Sequence, residues 1–260
     1  MPLPVFSFAE DPGSSFSELL HRVGLNPDYS AIGQDHKVPH ATTCVAVRFS
    51  GGIVMGGDRR ATAGNLISHR SMEKVVQADQ FSAVAIAGAA GPAMEMVKVF
   101  QLSLEHYEKV EGKLLSLEGK ANLLSTMIRQ NLSAAMQGLV VVPIFGGYDT
   151  RRSEGRIWNF DVTGGRYEET EYVATGSGSV HCSTVLKMGW KEDLSNDEAV
   201  KLVCRSLWEA ADVDSATGGP DIRRGIYPVV AEISAQGWSR VSDDRLRTAF
   251  DAINAEAGAR

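Results

Sequence analysis

Cysteine is scarce: Cys44, Cys182 and Cys204 are the three in 260 residues, and they are widely scattered. No CxxC pair or His/Cys cluster at ligand spacing exists, so neither a zinc site nor a disulfide framework is indicated. Small buried thiols in a reducing compartment are the reading that fits. The histidines, His21, His36, His40, His69, His106 and His181, show no HExxH or other metal spacing. Basic runs are missing too, and with a net charge of −6 this speaks against a nucleic-acid surface. No stretch approaches the roughly 18 apolar residues of a membrane span. The opening MPLPVFSFAEDPGSSF lacks the positive start and long apolar core of a secretory signal. Glycine-rich ATGSGS (174–179) has neither the GxxxxGK[ST] pattern nor its lysine, which excludes a nucleotide site of that kind. The expectation is a soluble cytoplasmic protein with no metal, organic cofactor, nucleic acid or membrane as partner.

Hydrophobic residues make up 43% and charged residues 22%, ordinary values for a chain that buries a sizeable core. Length suits one large domain, or one domain plus an extension. Residues 1–41 read as that extension. They hold five of the nine prolines and a net charge of −3. One helical patch, Phe16, Leu19, Leu20 and Val23 capped by Ser14 or Ser15, interrupts them.

From Thr42 the texture changes. TTCVAVRF (42–49) and IVMGGD (53–58) read as two strands around a Gly51-Gly52 turn, and FSAVAIAG (81–88) as a third. Val97, Phe100, Leu104 and Tyr107 recur at helical spacing. A second helix carries Ala121, Leu124, Ile128, Leu132 and Ala135 on one face and stops at Gly138. LVVVPIFGGYD (139–149), RIWNFDV (156–162) and YEETEYVAT (167–175) read as strands, with Gly164-Gly165 as a hairpin turn. Helical patterns near 179–190 and 196–211 follow, then the strand GIYPVVAEIS (225–234), the turn Gln236-Gly237 and a short final helix from about Asp243. Such segregated runs argue against regular βαβ alternation. They predict an α+β fold, two stacked antiparallel sheets with helix pairs on the outer faces.

A hydroxyl nucleophile needs a base to take its proton. A threonine that begins a chain carries one in its own α-amine, whose reference pKa of about 7.7–8.0 leaves much of it neutral near neutral pH. Thr42-Thr43 opens an apolar strand directly after the dissimilar leader, where such a residue would sit once residues 1–41 are removed. Asp58 lies in GGDRRAT at the end of the second strand, and Lys74 lies in SMEKVV. A lysine ammonium near the threonine would depress the amine pKa, and a carboxylate would anchor that lysine. Gly88, in the IAGAAG turn, offers an unobstructed backbone N–H for an oxyanion. Singly, these are ordinary strand propensity, a turn aspartate, a solvated lysine and a turn glycine. The acidic pair Glu168-Glu169 reads as a solvated edge.

The run HATTCVAVRFSGGIVMGGDRRATAGNLISHRSMEKV (40–75) resembles the start of a proteasome β subunit. AIAGAAG, LEHYEKVEG (104–112), NLSAAMQG (131–138), FGGYD, ATGSGS and DSATGGPDIRRGIYP (214–228) follow in the order of the actinobacterial branch, and the likeness runs from about 40 to about 240. The resemblance implies an αββα sandwich of the N-terminal-nucleophile hydrolase type. It implies a threonine peptidase with a 1–41 propeptide, cut between Ala41 and Thr42, and a 42–260 catalytic domain. Thr42 would be nucleophile and, through its amine, general base. Asp58 and Lys74 would tune it, Gly88 N–H would bind the oxyanion, and Ser177, Asp214 and Ser215 would support the amine end with Thr217 nearby. Ala61, Met72, Val76, Ile86, Ala90 and Met94 would line an apolar pocket that favours cleavage after hydrophobic residues. The implied partners are a proteasome α subunit, seven-membered β rings stacked in pairs between α rings, a hexameric ATPase, and substrates tagged with the ubiquitin-like protein Pup. One departure stands out: the family usually has glycine before the catalytic threonine, and here it is Ala41. Alternatives at this point are Thr43 as the first residue of the cut chain, a simpler bacterial two-ring threonine protease, and a silent ring subunit.

Overall fold

Strand β1 (Thr43–Phe49) alternates two kinds of apolar side chain: Val45, Val47 and Phe49 on one face, Cys44 and Ala46 on the other. Both faces are therefore buried, as a strand in a central layer requires. Ser50-Gly51 turns the chain into β2 (Gly52–Gly57), whose register pairs Phe49 with Gly52. The computed structural model describes residues 42–63 and 66–258. The leader with its helical patch, and Ala41 at the expected cut, lie outside the described residues.

A short hairpin, β3 (Ala61–Ala63) with β4 (Leu66–His69), follows β2. Strands β5 (Val75–Asp79) and β6 (Ser82–Ala85) lead into helices α1 (Ala90–Glu111), α2 (Leu117–Gln130) and α3 (Leu132–Ala135). Next come β7 (Ile144–Asp149), β8 (Glu154–Phe160), β9 (Arg166–Glu169) and β10 (Tyr172–Gly176), then α4 (Ser179–Gly189) and α5 (Asn196–Val213). A 3₁₀ turn (Ile222–Arg224), β11 (Val229–Ser234), β12 (Gly237–Arg240) and α6 (Asp243–Gly258) complete the order. One sheet runs β10-β1-β2-β11-β12 and the other β5-β6-β7-β8-β9, antiparallel throughout.

Three apolar clusters define the layers. Between the sheets, Cys44, Ala46, Ile53 and Met55 meet Ala83, Ala85, Ile144 and Ile157. Outside the first sheet, Val45, Val47, Val54 and Val230 pack on Leu186, Val203, Leu207 and Phe250 from α4, α5 and α6. Outside the second, Val84, Phe145, Trp158 and Phe160 pack on Val97, Phe100, Leu104, Leu124 and Ile128 from α1 and α2. The expected αββα sandwich is the fold that forms. Among the described residues no helix is long and apolar enough to cross a membrane.

Several boundaries differ from the sequence reading. YEETEYVAT is two strands in different sheets: β9 pairs with β8, and after Thr170-Glu171 the chain changes layer so that β10 pairs with β1. The second helix breaks at Asn131, leaving Leu132 and Ala135 in the separate turn α3. β7 starts only at Ile144, just after Pro143, which has no N–H for the ladder. The final helix is 16 residues long, not short. Glu168 is exposed on the edge strand β9, as expected, and also accepts from Arg156 Nε and Nη2 at 2.6 and 2.7 Å, the same guanidinium lying 4.6 Å over the Trp158 ring.

Candidate active site

Five chain segments end at one edge of the sandwich: the start of β1, the end of β2, the residue before β5, the end of β10 and the C-terminus of α5. Asp58 and Lys74, expected from their spacing, lie there, as do Ser177 and Asp214, which the resemblance implied. Asp58 directly follows β2 and is fully buried, as is Lys74 before β5. Asp58 Oδ1 accepts from Lys74 Nζ at 2.5 Å and from Thr43 N at 3.0 Å. Its Oδ2 accepts from Arg60 N at 2.9 Å and Gly218 N at 2.8 Å. A carboxylate offers about four acceptor sites, so this one is filled. A buried lysine needs such a partner, because either group left alone out of water would be costly.

Thr42 itself is 5% exposed. Its carbonyl accepts from Ser177 N at 3.0 Å, while the next residue is bonded through Thr43 N to Asp58, so the backbone is fixed on both sides of the Thr42–Thr43 peptide. The approach of β10 to Thr42 demands glycine. Gly176 has φ +95°, and a Cβ there would lie 1.6 Å from the Thr42 carbonyl oxygen.

A second polar set faces the first. Asp214, the residue after α5, accepts on Oδ2 from Ser177 Oγ at 2.6 Å and Thr217 Oγ1 at 2.5 Å, and on Oδ1 from Ala216 N at 3.1 Å. Partial burial alone would push this carboxyl up, but those three donors outweigh it and hold it below the ordinary carboxylate value. Thr217 Oγ1 lies 2.6 Å from Thr43 Oγ1, which also accepts from Gly178 N at 2.9 Å. Ser215, by contrast, is exposed, and its recorded bond is backbone: its carbonyl accepts from Arg60 Nη1 at 2.7 Å.

Gly88 has φ +105°, and a Cβ there would meet the Val140 carbonyl oxygen at 2.1 Å. The flanking bonds Ala89 N to Val140 O and Val142 N to Ala87 O fix the turn. The Gly88 N–H itself takes no acceptor among the described residues. Two residues earlier, Ile86 N donates to the Lys74 carbonyl at 2.8 Å, which ties this turn to the buried pair. Of the six expected pocket residues, Ile86 belongs to the apolar cluster under α1, with Met72, Val76 and Met94 packed half-buried against it. Ala61 on β3 and Ala90 at the start of α1 stand outside that cluster.

Cys44 is inert: burial drives its thiol far up despite the nearby Lys74 cation, and Sγ donates to Ile86 O at 3.4 Å. Burial likewise pushes Cys182 and Cys204 up to about 12. No group of three or more His, Cys, Asp or Glu suited to a metal occurs among the described residues. Sequence reasoning missed the hydroxyl of Thr43 and the backbone donors of Gly178 and Gly218. The glycines of ATGSGS and ATGGPD were the available signal, as backbone that must come close to another segment.

A family profile described as "Proteasome subunit" matches residues 38–222. The chain is 55% identical over 268 residues to "Proteasome subunit beta" of Acidimicrobium ferrooxidans, covering 100% of this chain and 97% of that relative. It is 59% identical over 207 residues to the protein of that name from Streptomyces griseus, covering 80% and 74%. A third, from Jonesia denitrificans, is 50% identical over 248 residues, covering 93% and 82%. Profile and relatives agree along most of the length, and the chain belongs to the proteasome subunit family.

Proposed function

We propose that this chain is a core protease subunit of a proteasome, a threonine endopeptidase whose nucleophile, Thr42, becomes the first residue when the 1–41 propeptide is removed. The observation that carries this reading is the buried Lys74–Asp58 pair bonded to the backbone N–H of Thr43, beside the Thr42 position. In the first half-reaction Thr42 Oγ bonds to the peptide carbonyl carbon, its proton passes by way of the freed α-amine to the leaving amine, and the C–N bond breaks. In the second, water attacks the ester, the Oγ–C bond breaks and the hydroxyl regains a proton. Lys74, held by Asp58, favours the neutral amine and the alkoxide. The Gly88 N–H stabilises the oxyanion. Asp214 and Ser177 hold the amine end, with Thr217 completing the contacts and Ser215 shaping the loop through its carbonyl. A cut before Thr43 is disfavoured, because Thr43 N is already a donor to Asp58 and its hydroxyl is buried in the second polar set.

Met72, Val76, Ile86 and Met94, with Ala61 and Ala90 at the margin, form the pocket for the residue before the cut and favour hydrophobic side chains there. Assembly follows family practice: homo-heptameric β rings stacked in an α7β7β7α7 particle with a proteasome α subunit, in the cytoplasm, fed by a hexameric ATPase with unfolded, Pup-tagged proteins.

The test is co-expression with the matching α subunit, wild type beside Thr42→Ala, followed by intact mass, N-terminal sequencing and assay on fluorogenic peptides. A new N-terminus at Thr42 and cleavage after hydrophobic residues, both lost in the mutant, are the expected result. A full-length, inactive wild-type chain inside assembled rings would instead identify a silent subunit, or one that Ala41 blocks.

A further inference from the structure

The nucleophile's neighbour is itself bonded to both halves of the site. Thr43 is fully buried, its two backbone groups both paired with Asp58 and its hydroxyl with Thr217 and Gly178. Its N–H donates to Asp58 Oδ1 at 3.0 Å, and its carbonyl accepts from Asp58 N at 3.2 Å. Its hydroxyl lies 2.6 Å from Thr217 Oγ1 and accepts from Gly178 N. The direction of the hydroxyl bond follows by elimination. A carboxylate only accepts, so the single hydrogen of Thr217 Oγ1 goes to Asp214. The bond between the two threonines is then donated by Thr43. A directed chain results, Gly178 N–H to Thr43 O–H to Thr217 O–H to Asp214, in which each member fixes the hydrogen of the next.

Strand propensity alone would be served by valine at position 43. Valine has the same shape, but it would leave the buried Gly178 N–H without an acceptor and Thr217 without a donor. Gly178 adjoins Ser177, whose own N–H holds the Thr42 carbonyl and whose hydroxyl reaches Asp214. The Thr43 hydroxyl therefore braces the loop that holds Thr42, while its backbone is joined to the Asp58–Lys74 pair.

We propose that Thr43 is a positioning residue for the peptidase reaction, its hydroxyl locking the Ser177–Asp214–Thr217 set in register with the Asp58–Lys74 pair across Thr42. The proposal rests on the assignment of Thr42 as nucleophile. Its test uses assembled particles from co-expression with the α subunit: wild type, Thr42→Ala, Thr43→Val, Thr43→Ala and Thr43→Ser. Steady-state kinetics are measured on one hydrophobic fluorogenic peptide. Loss of the two hydrogen bonds this hydroxyl makes predicts a fall in kcat of roughly tenfold or more for Thr43→Val, with KM within about twofold of wild type. Thr43→Ser, which keeps the hydroxyl, restores most of the rate. An inactive wild type, or an active Thr42→Ala, overturns the nucleophile assignment itself. With those two controls as expected, a Thr43→Val particle within twofold of wild type in kcat, or a serine variant no faster than valine, overturns the role of Thr43. If valine fails to assemble, alanine carries the same comparison. If neither assembles while serine does, the hydroxyl serves folding and the positioning role is refuted.

Discussion

Asp58 cannot rotate without breaking bonds from four donors, three of them on other stretches of chain, and this fixes it more firmly than its charge pair alone would. Asp214 is held differently, by two hydroxyls and one amide, and its sensitivity to acid follows from that. Its folded pKa lies below the ordinary value of 3.8, so the stability it contributes is complete above that value and is lost as the pH falls through the lower, folded one. Wild type should therefore exceed Asp214→Asn in urea midpoint by a constant margin from about pH 5 to 8. Below about pH 4 the margin should shrink, and one that widened in acid would contradict the assignment. Asp58 was legible in the sequence because it ends a recognisable strand, and Lys74 through its spacing from Thr42 within the family-like run 40–75, although the sequence pattern did not mark β5 behind it. Thr43 was not: a hydroxyl at a strand start reads as β-propensity, and its partner Thr217 lies 174 residues away. Ser215 was placed at the amine end by the resemblance alone, and its bond in the structure is made by its carbonyl, which accepts from Arg60.

Helix α5 links two jobs through its ends. At its start, Ser195 and Glu198 form a reciprocal capping box; at its end, Asp214 turns into the site. The Glu198 carboxyl is held down at about 2 by the Ser195 amide and hydroxyl and by Lys191. With 18 residues the helix separates the two ends by about 27 Å, at 1.5 Å per residue. Ser195→Ala should thus cost about 1 kcal/mol of stability, seen as a lower urea midpoint of the full chain, and leave peptide cleavage at the wild-type rate. A matching loss of kcat would show that the cap is felt at Asp214. Helix faces were legible because Val97, Phe100, Leu104, Ala121, Leu124 and Ile128 repeat at helical spacing and are all buried. The strand change within YEETEYVAT was not, since no glycine or proline at Thr170-Glu171 marks it. What separates β9 from β10 is the layer each joins, a tertiary choice that no local pattern records.

Across the whole molecule the layered fold was legible from the grouping of strands and helices, whereas the meeting point of five segment ends was expected only through the family resemblance, because local pattern does not show how the sheets stack. Those ends are far apart in sequence. The bond from Gly218 N to Asp58 spans 160 residues, and that from Gly178 N to Thr43 spans 135. Contacts of this separation form late, since loop closure must come first. In refolding followed by pulsed hydrogen exchange, protection of the Thr43 and Gly218 amides should appear together, and no sooner than protection of β11. Early protection at Thr43 alone would mean that Asp58 captures it before the second half arrives. The order carries a consequence for synthesis. A growing chain has its threonine, Asp58 and Lys74 early, yet lacks the Asp214 set and the Gly218 donor to Asp58 until the segment at 214–218 has been added and folded back. A chain still under construction therefore holds its candidate site half built until nearly all of its length has been made.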